Sequence, residues 1–125
     1  MADTSLVSVV LVMAGGAVGA LLRYAVTLIA SPSNGFPWNT LFVNFVGCTL
    51  LVLLFFLWSP APDNARLFLF VGVFGAFTTM SSVSMETVDL YVEGHAGAAM
   101  INFALNMGAC AAGAAIGRAA AVLLS

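Results

Sequence analysis

Asn44, Ser81, Ser82, Asn102 and Asn106 are polar side chains set inside long apolar runs, and each can donate hydrogen bonds without carrying charge. Neutral donors in an apolar setting suit a small anion that must be held briefly and released. Asn44 lies within Thr40-Leu41-Phe42-Val43-Asn44-Phe45-Val46-Gly47. Its amide offers two protons, which fits an anion. It equally fits a packing Asn bonded to a neighbouring helix, a contact worth roughly 1 kcal/mol. The residues alone leave both readings standing.

Asn102, Asn106 and Cys110 recur at i, i+4 and i+8, which places them on one helix face. Ala104, Gly108, Ala109, Ala111, Ala112, Gly113 and Gly117 surround them, and small residues let helices approach closely. A polar stripe with small edges is either a tight interface or a pore wall, and the two Asn tilt the reading toward the wall.

The run Gly75-Ala76-Phe77-Thr78-Thr79-Met80-Ser81-Ser82-Val83-Ser84 is a poor uninterrupted helix. It predicts a mid-membrane break, where freed carbonyls hold a cation and freed amides an anion. The competing reading is an intact helix whose hydroxyls bond back to their own turn. Arg23, Glu86, Asp89 and Glu93 lie toward helix ends. Arg23 either draws anions into a vestibule or snorkels to the interface, and Glu86 is placed to pair with an Arg. Asp89 and Glu93 read as interfacial charges and His95 as a solvated loop residue.

Enzymatic chemistry finds no support. No His falls within an apolar run, no metal-ligand cluster is spaced for binding, and no nucleophile–base pair can be proposed. Cys48 and Cys110 read as small buried hydrophobes, not a disulfide framework. The Gly15–Gly19 stretch is a helix-packing pattern, since it lacks the strand–helix turn of nucleotide-binding loops. The isoelectric point near 4.8 rests on five acids and argues against nucleic acid.

The elements that hold these residues follow from composition. Of 125 residues, 62% are hydrophobic and 6% charged, whereas soluble domains carry about a quarter charged residues. A bilayer is the natural solvent for such a chain, and crossing it takes about 20 apolar helical residues. Four spans are predicted: 5–29, 38–58, 65–92 and 96–124, together one all-α transmembrane domain. Ser31-Pro32-Ser33-Asn34-Gly35 and Ser59-Pro60-Ala61-Pro62 punctuate the first three, and Gly94-His95 joins the last two. Trp38 and Trp58 bracket the second span as interfacial anchors. No positive region precedes the first span, so a cleaved signal peptide is not expected. Arg66 and Arg118 fall on one face and Arg23 toward the other, a weak bias that permits insertion either way. Four helices hardly enclose a water-filled path, so an oligomer is expected.

Three ordered motifs carry a resemblance. Gly-Gly-x-x-Gly-Ala-x-x-Arg-Tyr (Gly15–Tyr24), Asn-Thr-x-x-Val-Asn-x-x-Gly (Asn39–Gly47) and Gly-x-x-Gly-x-Phe-Thr-Thr-x-Ser (Gly72–Ser81) together resemble the Fluc (CrcB) fluoride channels over nearly the whole chain. The resemblance implies an antiparallel, dual-topology dimer in a prokaryotic plasma membrane. It further implies two fluoride pores along the subunit interface and a central structural sodium ion. By position, Asn44 would be the pore amide, and Gly75 and Thr78 would give sodium their carbonyls. Ser81 and Ser82 would join the polar track, Arg23 would face the vestibule, and the fourth-helix track would fall on Asn102, Asn106 and Cys110.

The chain departs from the family pattern where two phenylalanines usually bracket fluoride: Met80 and Val83 stand there instead. A ring edge carries partial positive charge that neither replacement offers, although the Met methyl is polarised by sulfur. Two arrangements follow, a heterodimer whose partner supplies the rings, or a homodimer with a modified pore. The first is adopted, because losing every ring is the harsher change. The alternatives are a non-conducting assembly subunit and a small multidrug exporter. An exporter needs an acid inside its first helix, and this first span has none.

Overall fold

The computed structural model describes residues 5–30 and 34–125, so the Ser31–Ser33 part of the first predicted loop lies outside the described residues. Four stretches are helical, long and apolar enough to cross a membrane: Leu6–Ile29, Trp38–Leu57, Asp63–Val92 and Ala96–Leu124. Helix α1 (Leu6–Ile29) starts at Ser5, whose hydroxyl accepts from the Ser8 amide and so satisfies one orphan donor of the first turn. Helix α2 (Trp38–Leu57) is anchored at its start, where the Trp38 indole donates to Asn34 Oδ1 at 3.2 Å.

The third span is composite. Helix α3 (Asp63–Ala65) leads into a π-helical stretch, Arg66–Phe74, and then into α4 (Gly75–Phe77). Thr78 and Thr79 leave helical geometry, with ψ of 152° and 120°, and α5 (Met80–Val92) begins immediately after them. Gly94, at φ +87°, turns the chain into α6 (Ala96–Leu124); that left-handed conformation suits glycine because it has no Cβ to clash.

Glycines set the helix contacts. A Cβ on Gly15 would run into the Phe68 carbonyl, and one on Gly19 into the Val73 carbonyl. The first span therefore lies backbone to backbone on the π-helical stretch, the two running parallel. On the other side, Gly113 packs on Phe45 and Thr49, and Gly117 on Thr49 and Leu53, so α2 and α6 also run parallel. These two pairings, with α5 against α6, are the most extensive in the subunit.

Burial is inverted relative to a soluble domain. The largest fully buried side chains are Val43, Val83, Asn102 and Asn106, while Leu, Ile, Phe and Met cover the outside. Two of the four most enclosed side chains are thus amides, which would be costly without hydrogen-bond partners. Arg118 and Arg66 lie over the rings of Phe56 and Phe55, at 4.3 and 5.7 Å, at the C-terminal end of α2.

Candidate functional site

The buried amides form one ladder across α2, α5 and α6. Asn102 Nδ2 donates to Thr87 Oγ1 at 3.1 Å. Asn106 Nδ2 donates to the Asn102 carbonyl at 2.9 Å and to Asn102 Oδ1 at 3.1 Å. Asn44 Nδ2 donates to Asn106 Oδ1 and to the Thr79 carbonyl, both at 3.0 Å. Thr79 N–H returns a bond to Asn44 Oδ1 at 2.8 Å. Asn44 therefore grips both backbone groups of a residue that has left the helix. Both amide protons of Asn44 are used within the chain, so in this arrangement neither is free for a ligand.

That grip reassigns the carbonyls of the third span. In an unbroken helix the Thr79 amide would serve the Gly75 carbonyl, four residues back. Here Asn44 takes it. The Ser82 amide would likewise serve the Thr78 carbonyl, but it donates to Thr79 Oγ1 at 3.2 Å, the N-cap bond of α5. Gly75 and Thr78 each lose their helical donor, and both line a cavity of about 340 Å³ with Asn44, Cys48, Thr79, Met80, Met107 and Cys110. A pair of unclaimed carbonyls is a hard oxygen donor set, which fits an alkali cation.

Thr79 is the hub on the other side as well. Its hydroxyl meets Ser81 Oγ and Ser82 Oγ, each at 3.1 Å. Thr79 and Ser82 also line a second cavity, of about 300 Å³, with Arg23, Tyr24, Thr27, Asn39, Thr40 and Glu86. Thr79 is the one residue common to the two linings. In the second, Thr40 Oγ1 donates to Glu86 Oε1, while Glu86 Oε2 is buried without a hydrogen-bond partner. Arg23 and Glu86 share this cleft without an ion pair among the described residues.

The structure thus gathers Asn44, Asn102 and Asn106 into one ladder. Ser81 and Ser82 join the Thr79 hydroxyl, Gly75, Thr78, Met80 and Cys110 line the first cavity, and Arg23 lines the second. Val83 stands apart: it is wholly enclosed within the subunit and lines neither cavity. Met80, at the head of α5, is 46% exposed on the subunit surface. Thr40, Thr79 and Thr87 hold the site together but carried no role in the sequence reading. The preference for threonine at the first position of a restarting helix is the signal that could have found Thr79.

Comparison with known proteins is consistent along the chain. The family model described as "CrcB-like protein, Camphor Resistance (CrcB)" matches residues 10–118. A protein of Methylobacterium radiotolerans named fluoride-specific ion channel FluC is 36% identical over 123 residues, covering 94% of this chain and 86% of the relative. One of the same name from Ruminiclostridium cellulolyticum is 40% identical over 118 residues, covering 90% and 91%. Another, from Thermus thermophilus, is 48% identical over 95 residues, covering 73% and 76%.

Proposed function

The chain belongs to the CrcB-like family, and from that premise we propose that it is a subunit of a fluoride-selective channel that lets fluoride leave the cell passively. The observation that carries the reading is that one non-helical residue inside an otherwise apolar span, Thr79, lines both cavities. A path for an ion needs donors that replace its water yet release it, and the hydroxyls of Thr79, Ser81 and Ser82 are neutral donors grouped there. Arg23 at the outer cleft raises the local concentration of anions by its charge. In this reading the Asn44–Asn106–Asn102 ladder is the wall of the path, and passage requires the Asn44 amide to turn from its partners toward the ion.

The subunit is proposed to work as an antiparallel dimer in a prokaryotic plasma membrane. The cavity that holds the two unclaimed carbonyls is rimmed by Met80 and Met107, 46% and 38% exposed. Unpaired backbone groups facing lipid cost several kcal/mol each, so a second subunit is needed to cover them. A sodium ion held by Gly75 and Thr78 would supply fixed positive charge there and offset part of the desolvation of an anion. Met80 and Val83 bring no ring edge, so the covering subunit is taken to be a relative that does. Neither the assembly-subunit nor the drug-exporter reading has an observation in its favour.

Fluoride efflux from liposomes, with chloride as control, tests the reading. Flux from the chain alone would replace the heterodimer by a self-sufficient homodimer. Flux only with a ring-bearing relative would support the pair, and absence of flux from folded protein in both preparations would overturn the channel.

A further inference from the structure

Cys48 on α2 and Cys110 on α6 are brought to one cavity by the close packing of those helices. Met80 opens α5, and Met107 precedes Cys110 by three residues on the same helix face. All four line the 340 Å³ cavity. The chain has six Met and two Cys, so half of its sulfur side chains converge on one place. Packing alone would explain a single thiol or thioether in an apolar core. It does not explain four from three helices around one opening.

We propose that Cys48, Cys110, Met80 and Met107 form a binding site for a soft monovalent cation, copper(I) or silver(I). Thiolate and thioether sulfurs are polarisable donors that select such ions, whereas the Gly75 and Thr78 carbonyls in the same cavity are hard donors that do not. Among the described residues no group of three His, Cys, Asp or Glu stands ready for a harder transition metal. Charge balance fits an apolar setting. One thiol gives up its proton as the cation arrives, Cys–SH + M⁺ → Cys–S–M + H⁺, and the second thiol and the thioethers complete the shell without adding charge. Loading adds no net charge to the cavity, which avoids the cost of an isolated buried ion. Met80 and Met107 stand at the rim of the cavity, on the face that the proposed function gives to a second subunit.

The site shares its cavity with the Gly75 and Thr78 carbonyls that the proposed function assigns to sodium, and it is tested by binding rather than flux. Purified protein in detergent is titrated with copper(I) buffered by bicinchoninate. Wild type is expected to take up one equivalent per subunit. Met107→Leu and Cys110→Ser are each expected to weaken binding roughly tenfold or more, and Cys48→Ala with Cys110→Ala to abolish it. No uptake by wild type, or undiminished uptake by the double variant, would overturn the proposal. X-ray absorption of the loaded wild type guards against a misfolded variant. A sulfur shell is expected there, and a shell of oxygen or nitrogen alone would equally overturn it.

Discussion

Asn44 spends both amide protons and its carbonyl oxygen on Thr79 and Asn106, in a site that is 3% exposed. Removing a partner from a buried polar group costs about 1–3 kcal/mol, so Asn44→Ala should lower thermal stability measurably as well as reduce flux by an order of magnitude or more. Asn44→Asp keeps the acceptor for the Thr79 amide but loses both donors. Its carboxylate oxygens then oppose the Thr79 carbonyl and Asn106 Oδ1, so Asp should lower both stability and flux; wild-type flux in either variant would remove Asn44 from the path. Thr79 takes a similar pair of variants. Thr79→Ala removes the N-cap of α5, worth about 1 kcal/mol, and unties Ser81 and Ser82, while Thr79→Ser retains the hydroxyl and should behave nearly as wild type. Unfolding midpoints and flux measured side by side for the two variants check this. The polar positions themselves were legible because an Asn in an apolar run is conspicuous. Where their protons go was not, since Asn44 and Asn106 are 62 positions apart and meet only in the folded subunit.

At the scale of elements, the spans were legible from hydropathy, within about two residues at each end. The third begins at Asp63, just after Pro62, because proline fits the entry of a helix but not its interior. The π-helical stretch Arg66–Phe74 had no sequence signal; it arises where the first span lies on the third so closely that Gly15 and Gly72 nearly touch. The burial of Val83 was equally hidden, because in a helix apolar on most sides the period does not say which face turns inward. The glycine contacts yield a paired prediction. Gly19→Val would drive a side chain into the Val73 carbonyl, a backbone neighbour that cannot step aside, and should replace the folded species by aggregate in size-exclusion chromatography. Gly16→Ala meets nothing within 4 Å and should elute as wild type. Equal behaviour of the two would mean that this helix pair does not pack as described.

At the scale of the whole molecule, the proposed function turns on the polar groups at the edge of the four-helix unit. Gly75 and Thr78, whose helical donors are taken elsewhere, line a cavity in a four-helix unit that is coated in Leu, Phe and Met. Such groups are tolerated at membrane depth only against protein or a water-filled cavity. The account therefore places conduction at the boundary between subunits, in a family whose relatives bear the name of fluoride-specific channels. The most direct measurement is fluoride efflux from liposomes holding this chain co-assembled with a ring-bearing relative, with Asn44→Ala in this chain as the comparison. The account predicts that fluoride leaves while chloride stays, and that the substitution slows fluoride. Folded, co-assembled protein that retains fluoride as tightly as chloride would contradict it.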